Sequence, residues 1–288
     1  VTALDAVGVW PPRAESHVEM DGAWALYEAW VQMQEGEIDA ALVYAFGRSS
    51  PGDLGEVMAL QLDPYYLAPL WPDPVSLAAL QARALLDAGR ATEADFAEVA
   101  ARSRRDALDN PNAQVAHDRS VDELLAEDYV VEPLRRHTLP PITDGAAAIV
   151  LAAGQKAETW GDGPAWITGI DHRIETHALG ARDLSSSPST RKAAEGAGVA
   201  DRPVELAELH APFAPQELIL RDALDLDAGV AVNPSGGALA ANPLMAAGLI
   251  RIGEAAAAVR AGRARRAVAH ATSGPCLQQN LVCVLEAP

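Results

Sequence analysis

The amino-acid sequence predicts an α/β protein built from two similar halves. One observation is a unit that occurs twice: a helix-like stretch ended by glycine, a charged link, and an apolar run typical of a buried strand. A second observation is where the copies lie, one near each end of the 288-residue chain, with a long polar insertion between them. An internal duplication of an α/β half produces such an order.

The first copy lies within residues 22–45. Apolar side chains recur at spacings of three and four between residues 22 and 34, which predicts a helix with one buried stripe, and Gly36 ends it. The uninterrupted apolar run at residues 40–45 predicts a strand covered on both faces. A further apolar run at residues 146–152 predicts the last strand of this half.

The insertion spans about residues 50–140 and is predicted to be a lid or loop domain. A helix is expected at residues 76–88. Thr92 begins a capping box and Ser120 a second capping sequence, so two more helices are predicted.

The second copy follows the glycine pair Gly236 and Gly237. Apolar side chains from Met245 onward predict a helix with one buried side, and Gly262 ends it. Residues 267–271 then predict a second short buried strand.

The composition limits the classes of partner. The chain has 22 basic and 40 acidic residues, a formal charge of -18, which disfavours nucleic acid and anionic membrane as partners. No apolar run reaches the length of a bilayer span and no secretion signal is recognisable, so the cytoplasm is the expected location. The two cysteines, Cys276 and Cys283, are too few for a disulfide scaffold or a structural zinc site, and no metal is expected.

Four separated stretches carry motifs: residues 103–113, 142–148 (ITDGAAA), 208–214 (ELHAPFA) and 232–237 (VNPSGG). They resemble signatures of the thiolase superfamily and occur in that family's order. The Asp-Gly pair of residues 142–148 resembles the lead into the last strand of the first half, and His210 begins the sterol-carrier version of the Asn-Glu-Ala-Phe motif. The chain therefore resembles the lipid-transfer or sterol-carrier branch of the superfamily.

The resemblance implies the thiolase fold, in which two halves each carry a five-stranded mixed sheet between layers of helices. Residues 1–155 would form the N-terminal half with the loop domain at about 50–140, and residues 156–288 the C-terminal half. The N-terminal half is expected to be incomplete, without its first strand–helix unit. A longer natural protein or a partner would then cover the exposed apolar edge.

The resemblance also implies a cysteine nucleophile at the start of a buried helix, which this chain lacks. A gap-free match places Glu19 at that position, and a shift of one turn places Ala23 there. A carboxylate at Glu19 or Asp21 is a candidate base, although Asp21 is favoured as the helix cap. The position of the family's acid/base cysteine falls on Thr272, with Cys276 four residues further on as a candidate.

His210 and Asn242 are the remaining catalytic candidates. In the sterol-carrier branch, the histidine at the position of His210 is implied to bind the thioester oxygen. Asn242 replaces the histidine of the family's Gly-His-Pro motif. An amide takes up no proton at neutral pH, but it can donate a hydrogen bond to an oxyanion. The alternative role of Asn242 is to cap a helix. Candidate substrate-binding residues are Gly236, Gly237, His270, Arg135 and Arg136.

Two functions follow from the resemblance. The first is acyl transfer or carbon–carbon bond cleavage on a lipid or steroid acyl-CoA without a cysteine, with a retro-aldol reaction favoured; the aldolases of this branch, however, place tyrosine where His210 stands. The second is a non-catalytic subunit that binds acyl-CoA or stabilises a partner. A homodimer and a small OB-fold partner protein are expected, and coenzyme A is expected only as part of the substrate.

Overall fold

The computed structural model describes residues 14–161 and 163–288 and confirms the α/β class. Its N-terminal part contains α1 (Gly22–Gln34), β1 (Ala40–Arg48) and β4 (Asp144–Ala152). The insertion between β1 and β4 contains α2 (Leu54–Leu60), α3 (Pro74–Asp87), α4 (Glu93–Asp106), α5 (Val121–Leu125), β2 (Tyr129–Val131) and β3 (Leu134–Arg135). The remaining elements are α6 (Gly154–Trp160), β5 (Trp166–Ile174), α7 (Pro188–Gly196), β6 (Leu206–Leu209), α8 (Ala214–Ala223), β7 (Ala231–Val232), α9 (Gly237–Ala240), α10 (Ala247–Arg260), β8 (Arg266–Ser273) and β9 (Gln279–Glu286).

A five-stranded mixed sheet organises the C-terminal half. Its strand order is β5-β9-β8-β6-β7, with β6 parallel to both β7 and β8, and β9 antiparallel to β5 and β8. One face packs against α7, α8 and the inserted helices α3 and α4. The other face packs against α10 and α1. The sheet is thus buried on both sides, and residues at the ends of β6 and β8 lie between two cores.

The N-terminal half contributes a two-stranded antiparallel sheet in which Ala40 pairs with Ala152 and Arg48 with Asp144. One face of this sheet packs on α1 and α10. On the other face Phe46 is 60% exposed and Val150 63%. The prediction that the first strand is covered on both faces is therefore wrong for the described residues, because no helix of the described chain packs on that side.

The two buried helices meet at their N-termini. Gly22, the first residue of α1, donates its N–H to the carbonyl oxygen of Met245 at 2.8 Å. A Cβ at position 22 would clash with Ala45 and would lie 3.0 Å from Leu249 Cδ2. Glycine at this position therefore allows α1, α10 and β1 to approach one another closely.

The insertion folds as its capping sequences predict. Thr92 and Ser120 each form a capping box with the carboxylate three residues later, at the starts of α4 and α5. The second-copy helix differs from its prediction, because α10 begins only at Ala247 and Met245 lies before it with φ of 69° and 44% exposure. The loop that follows Asn242 separates α9 from α10, so Met245 cannot belong to the buried stripe. No helix in the described ranges has the length and apolarity that a bilayer crossing requires.

Candidate active site

The imidazole of His210 is held between two strands and a loop. His210 follows the last residue of β6, and its backbone N–H donates to the carbonyl oxygen of His270 at 3.1 Å. Its Nδ1 accepts the backbone N–H of Thr272 at 3.4 Å, and its Nε2 lies 3.2 Å from Oδ1 of Asn242. Because Nδ1 accepts a hydrogen bond, the proton of the neutral ring is on Nε2.

His210 is a neutral hydrogen-bond donor. Its pKa is lowered to about 4, mainly by burial and also by the charge of Arg251, while the hydrogen bond to Asn242 opposes both effects. The imidazole therefore carries no charge at neutral pH. It can donate a hydrogen bond from Nε2 but is a poor proton acceptor.

Asn242 lies where the two halves meet. Its backbone N–H donates to Oγ1 of Thr143, the residue before β4, at 2.9 Å, while its side chain contacts His210 of the C-terminal half. The residue is 6% exposed. His210 and Asn242, both predicted from the sequence, are thus in direct contact, and Asn242 is also bonded to Thr143 beside β4.

Asp21 caps two helices at once. One carboxylate oxygen accepts the N–H groups of Ala23 and Leu249 at 2.9 and 3.0 Å, and the other accepts the N–H of Gly248 at 2.8 Å. Burial raises the pKa of Asp21, whereas these three hydrogen bonds and the charge of Arg251 lower it. The carboxylate bridges the N-termini of α1 and α10, where negative charge is stabilised, and neither oxygen is free to act as a base.

Glu19 is exposed two residues before this cap. It makes no hydrogen bond or ion pair with any residue that the structure describes. Asp21, His210 and Asn242 are buried, whereas Glu19 is exposed. A groove of about 740 Å³ between α4, α5 and α8 is lined by Arg102, Arg105 and Arg221, among others, and includes none of the four.

The glycine pair has a backbone role. Gly236 and Gly237 have φ of 92° and 59°, a region that glycine adopts without strain. A Cβ on Gly236 would lie 2.6 Å from Cβ of Ala107 and 2.7 Å from Cβ of Ala240. Gly236 therefore lets the insertion pack on the turn before α9.

A buried charged network that the sequence predictions missed lies below this turn. Glu208 and Arg251 are 1% and 3% exposed and form an ion pair at 2.8 Å. Ser235 donates its hydroxyl to Glu208 at 2.7 Å and accepts from Arg251 at 2.6 Å. Arg251, a charged residue among the apolar buried residues of α10, is the sequence feature that could have predicted this network.

Both cysteine thiols are buried. The thiol of Cys276 donates to the carbonyl oxygen of Leu77 at 3.3 Å, and burial raises its pKa to about 11. Burial raises the pKa of Cys283 to about 12. Both thiols are protonated at neutral pH, and a thiol reacts as the thiolate.

The predicted basic residues occupy the insertion. Arg135 forms an ion pair with Glu93, donates from Nε to the carbonyl oxygen of Glu127 at 3.0 Å, and lies 4.0 Å from the ring centroid of Tyr129. Its guanidinium is therefore engaged in the structure of the insertion. Arg136 is exposed.

Known proteins similar in sequence to this chain include an acetyl-CoA acetyltransferase and a sterol carrier protein. No family model matches this chain. It is 28% identical to an acetyl-CoA acetyltransferase of Methanothermobacter thermautotrophicus over 222 residues. The aligned region covers 69% of this chain and 58% of that protein. It is 25% identical to human sterol carrier protein 2 over an alignment of 301 positions, which covers 90% of this chain and 54% of that protein.

The fold agrees with these relatives. The solved human mitochondrial 3-ketoacyl-CoA thiolase superposes with a TM-score of 0.72 at 17% identity and covers 93% of this chain and 77% of that one. The chain therefore has the thiolase fold and is similar in sequence to thiolase-superfamily proteins. The Ltp2-ChsH2(DUF35) aldolase superposes with a TM-score of 0.76 at 20% identity and covers 91% of this chain and 76% of that one.

The predicted resemblance to the thiolase superfamily and the predicted fold are therefore confirmed. This thiolase-like chain spans little more than half the length of the curated relatives above, 58% and 54%.

Proposed function

We propose that this thiolase-like chain acts on an acyl-CoA thioester and cleaves a carbon–carbon bond by a retro-aldol reaction without a cysteine nucleophile. The observation that carries the proposal is the buried pair of His210 and Asn242, a neutral N–H donor beside a carboxamide, in a protein whose two cysteines are protonated. Support comes from the acetyltransferase named among the relatives and from the aldolase with the same fold.

The reaction needs donors more than it needs a nucleophile. A base removes the proton of the β-hydroxyl group, the oxygen's electron pair forms a carbonyl, and the bond between Cα and Cβ breaks. The bonding electrons pass to the thioester as an enolate, whose α-carbon is then protonated. Nε2–H of His210 and the amide N–H of Asn242 are the donors for the enolate oxygen, and the substrate oxygen would replace the contact between the two side chains.

The base is proposed to be Glu19. Asp21 is occupied as a double helix cap, and His210 is a poor proton acceptor. Glu19 is the exposed carboxylate that a gap-free match places at the family's nucleophile position. Glu19→Gln should therefore abolish cleavage and leave thioester binding intact.

The substrate class and assembly are also proposals. The matches to sterol carrier protein 2 and to the aldolase favour lipid or steroid acyl-CoA thioesters. The solved aldolase combines Ltp2 with ChsH2(DUF35) in its name, which supports a partner protein here; we propose a small OB-fold protein as that partner, and a homodimer on the basis of the fold. We propose a cytoplasmic location and the domain boundary at residues 155 and 156.

A non-catalytic acyl-CoA-binding subunit is the second candidate. Two observations favour it: Asp21 is fully engaged by backbone N–H groups, and both ring nitrogens of His210 have protein partners. Such a subunit would bind the thioester and leave it intact.

Calorimetric titration with β-hydroxyacyl-CoA thioesters, followed by mass spectrometry of each mixture, tests the proposal. Wild-type protein should bind and release two fragments, and His210→Ala should release none. His177→Ala, a change on the surface where the ring is 60% exposed, is the matched control and should behave as wild type. Binding without fragments would support the second candidate, and absence of binding would contradict both.

A further inference from the structure

A left-handed turn lies at the end of β8. Cys276 and Leu277 have φ of 53° and 58° although neither is glycine, and they are 5% and 1% exposed. Consecutive residues in this conformation persist only where their surroundings hold them, and such strain is concentrated at functional sites. Arg182 holds the turn from one side by donating to the carbonyl oxygens of Pro275 and Cys276.

Asn280 holds the turn from the other side and also contacts a histidine. Its Nδ2 donates to the carbonyl oxygen of Leu277 and to Oγ of Ser189, both at 2.8 Å, and its Oδ1 lies 2.9 Å from Nε2 of His270. A carbonyl oxygen only accepts, so the orientation of the Asn280 amide is determined. Oδ1 therefore faces His270, and the proton of that ring must be on Nε2.

Asn280 also lies beside the segment of β8 that contacts His210. Asn280 on β9 is the cross-strand neighbour of Thr272 on β8. The backbone of β8 contacts His210 twice, through the carbonyl oxygen of His270 and the N–H of Thr272. A shift of β8 would move the acceptor of the His210 backbone N–H and the N–H that donates to Nδ1 of its ring.

We propose that Asn280 is a positioning residue for the candidate active site: it fixes the Nε2–H tautomer of His270 and the segment of β8 that orients His210. The inference rests on the proposed function and names a residue through which that site is held. Nδ1 of His270 has no hydrogen-bond partner among the described residues, so the tautomer of this ring depends on Asn280 alone. His270 is fully buried, and its rotation is limited by the packing around it.

The test is two-bond ¹⁵N–¹H NMR of the imidazoles in histidine-labelled protein, with His210→Gln and His270→Gln used to assign the signals. Wild-type protein should show both rings as single Nε2–H tautomers. In Asn280→Leu, His270 should distribute its proton over both nitrogens and the His210 signals should shift. Ser189→Ala removes one partner of Asn280 without touching either ring, and it should keep both wild-type tautomers.

The thioester titration adds a second readout. Asn280→Leu should weaken binding of a β-hydroxyacyl-CoA by about tenfold, the effect of one misplaced hydrogen bond. A folded Asn280→Leu variant with an unchanged His270 tautomer and unchanged His210 signals would overturn the proposal. If wild-type protein binds no thioester, the proposed function fails while the NMR result still decides the role of Asn280.

Asn280→Asp covers the case in which the leucine variant does not fold. Its carboxylate still accepts from Nε2–H of His270 and adds a negative charge beside the ring, so His270 should become protonated at a higher pH than in wild type. An unchanged titration of His270 in this variant would refute the contact.

Discussion

Lowering the pH from 7 to 5 should destabilise the fold through its two buried histidines. Burial lowers the pKa of His210 to about 4 and that of His270 to about 3, whereas the ordinary value is 6.5. Below pH 6.5 the two histidines take up protons in the unfolded chain but not in the folded chain. The contribution of the histidines to stability is therefore present above pH 6.5 and is lost as the pH falls. Each histidine should cost about 2 kcal/mol at pH 5, or about 4 kcal/mol together.

Urea unfolding at pH 7, 6 and 5 measures this loss, and a variant isolates it. His270→Gln should lose about 2 kcal/mol less than wild type between pH 7 and pH 5, because groups common to both proteins cancel in the difference. Exposed His177→Gln should show the wild-type pH dependence. Equal pH dependence in wild type and His270→Gln would refute the reasoning, since it would mean that the buried ring takes up a proton in the folded state.

Three further substitutions have defined expectations. Asp21→Ala should lower the free energy of unfolding by about 3 kcal/mol, because two helices lose their cap. Asp73 is exposed and caps only α3, so Asp73→Ala should lower it by about 1 kcal/mol. Equal losses in a urea titration would contradict the double cap. Arg251→Met should cost about 3 to 5 kcal/mol because it leaves Glu208 buried and unpaired, and adding Glu208→Gln should recover part of that loss in chemical denaturation. Gly236→Ala should cost about 2 to 4 kcal/mol in thermal unfolding through strain and its clash with Ala107, and an unchanged melting temperature would argue against the turn geometry.

The elements that the sequence predicts well are those with local determinants. Gly22 to Gln34 forms the expected helix, and Thr92 and Ser120 form the expected capping boxes, because each cap needs only residues three or four positions away. The two-half plan was also recoverable, because each copy of the helix–strand unit has its own stop signal. These features do not depend on distant parts of the chain.

The features that the sequence did not predict depend on long-range contacts. Asp21 was expected to cap its own helix, but its bonds to Gly248 and Leu249 join residues more than two hundred positions apart. Asn280 has no local motif, and its importance becomes visible only when β8 and β9 are paired. The exposed face of β1 was mispredicted because an apolar run does not reveal how many layers cover it.

The proposed cleavage uses no cysteine of this chain. The direct measurement is intact-protein mass spectrometry after incubation with a β-hydroxyacyl-CoA, together with a fragment assay of the Cys276→Ala/Cys283→Ala double variant. Cleavage without a cysteine predicts no acyl adduct on the wild-type chain and full cleavage by the double variant. An acyl adduct on Cys276, or loss of cleavage in the double variant, would contradict it.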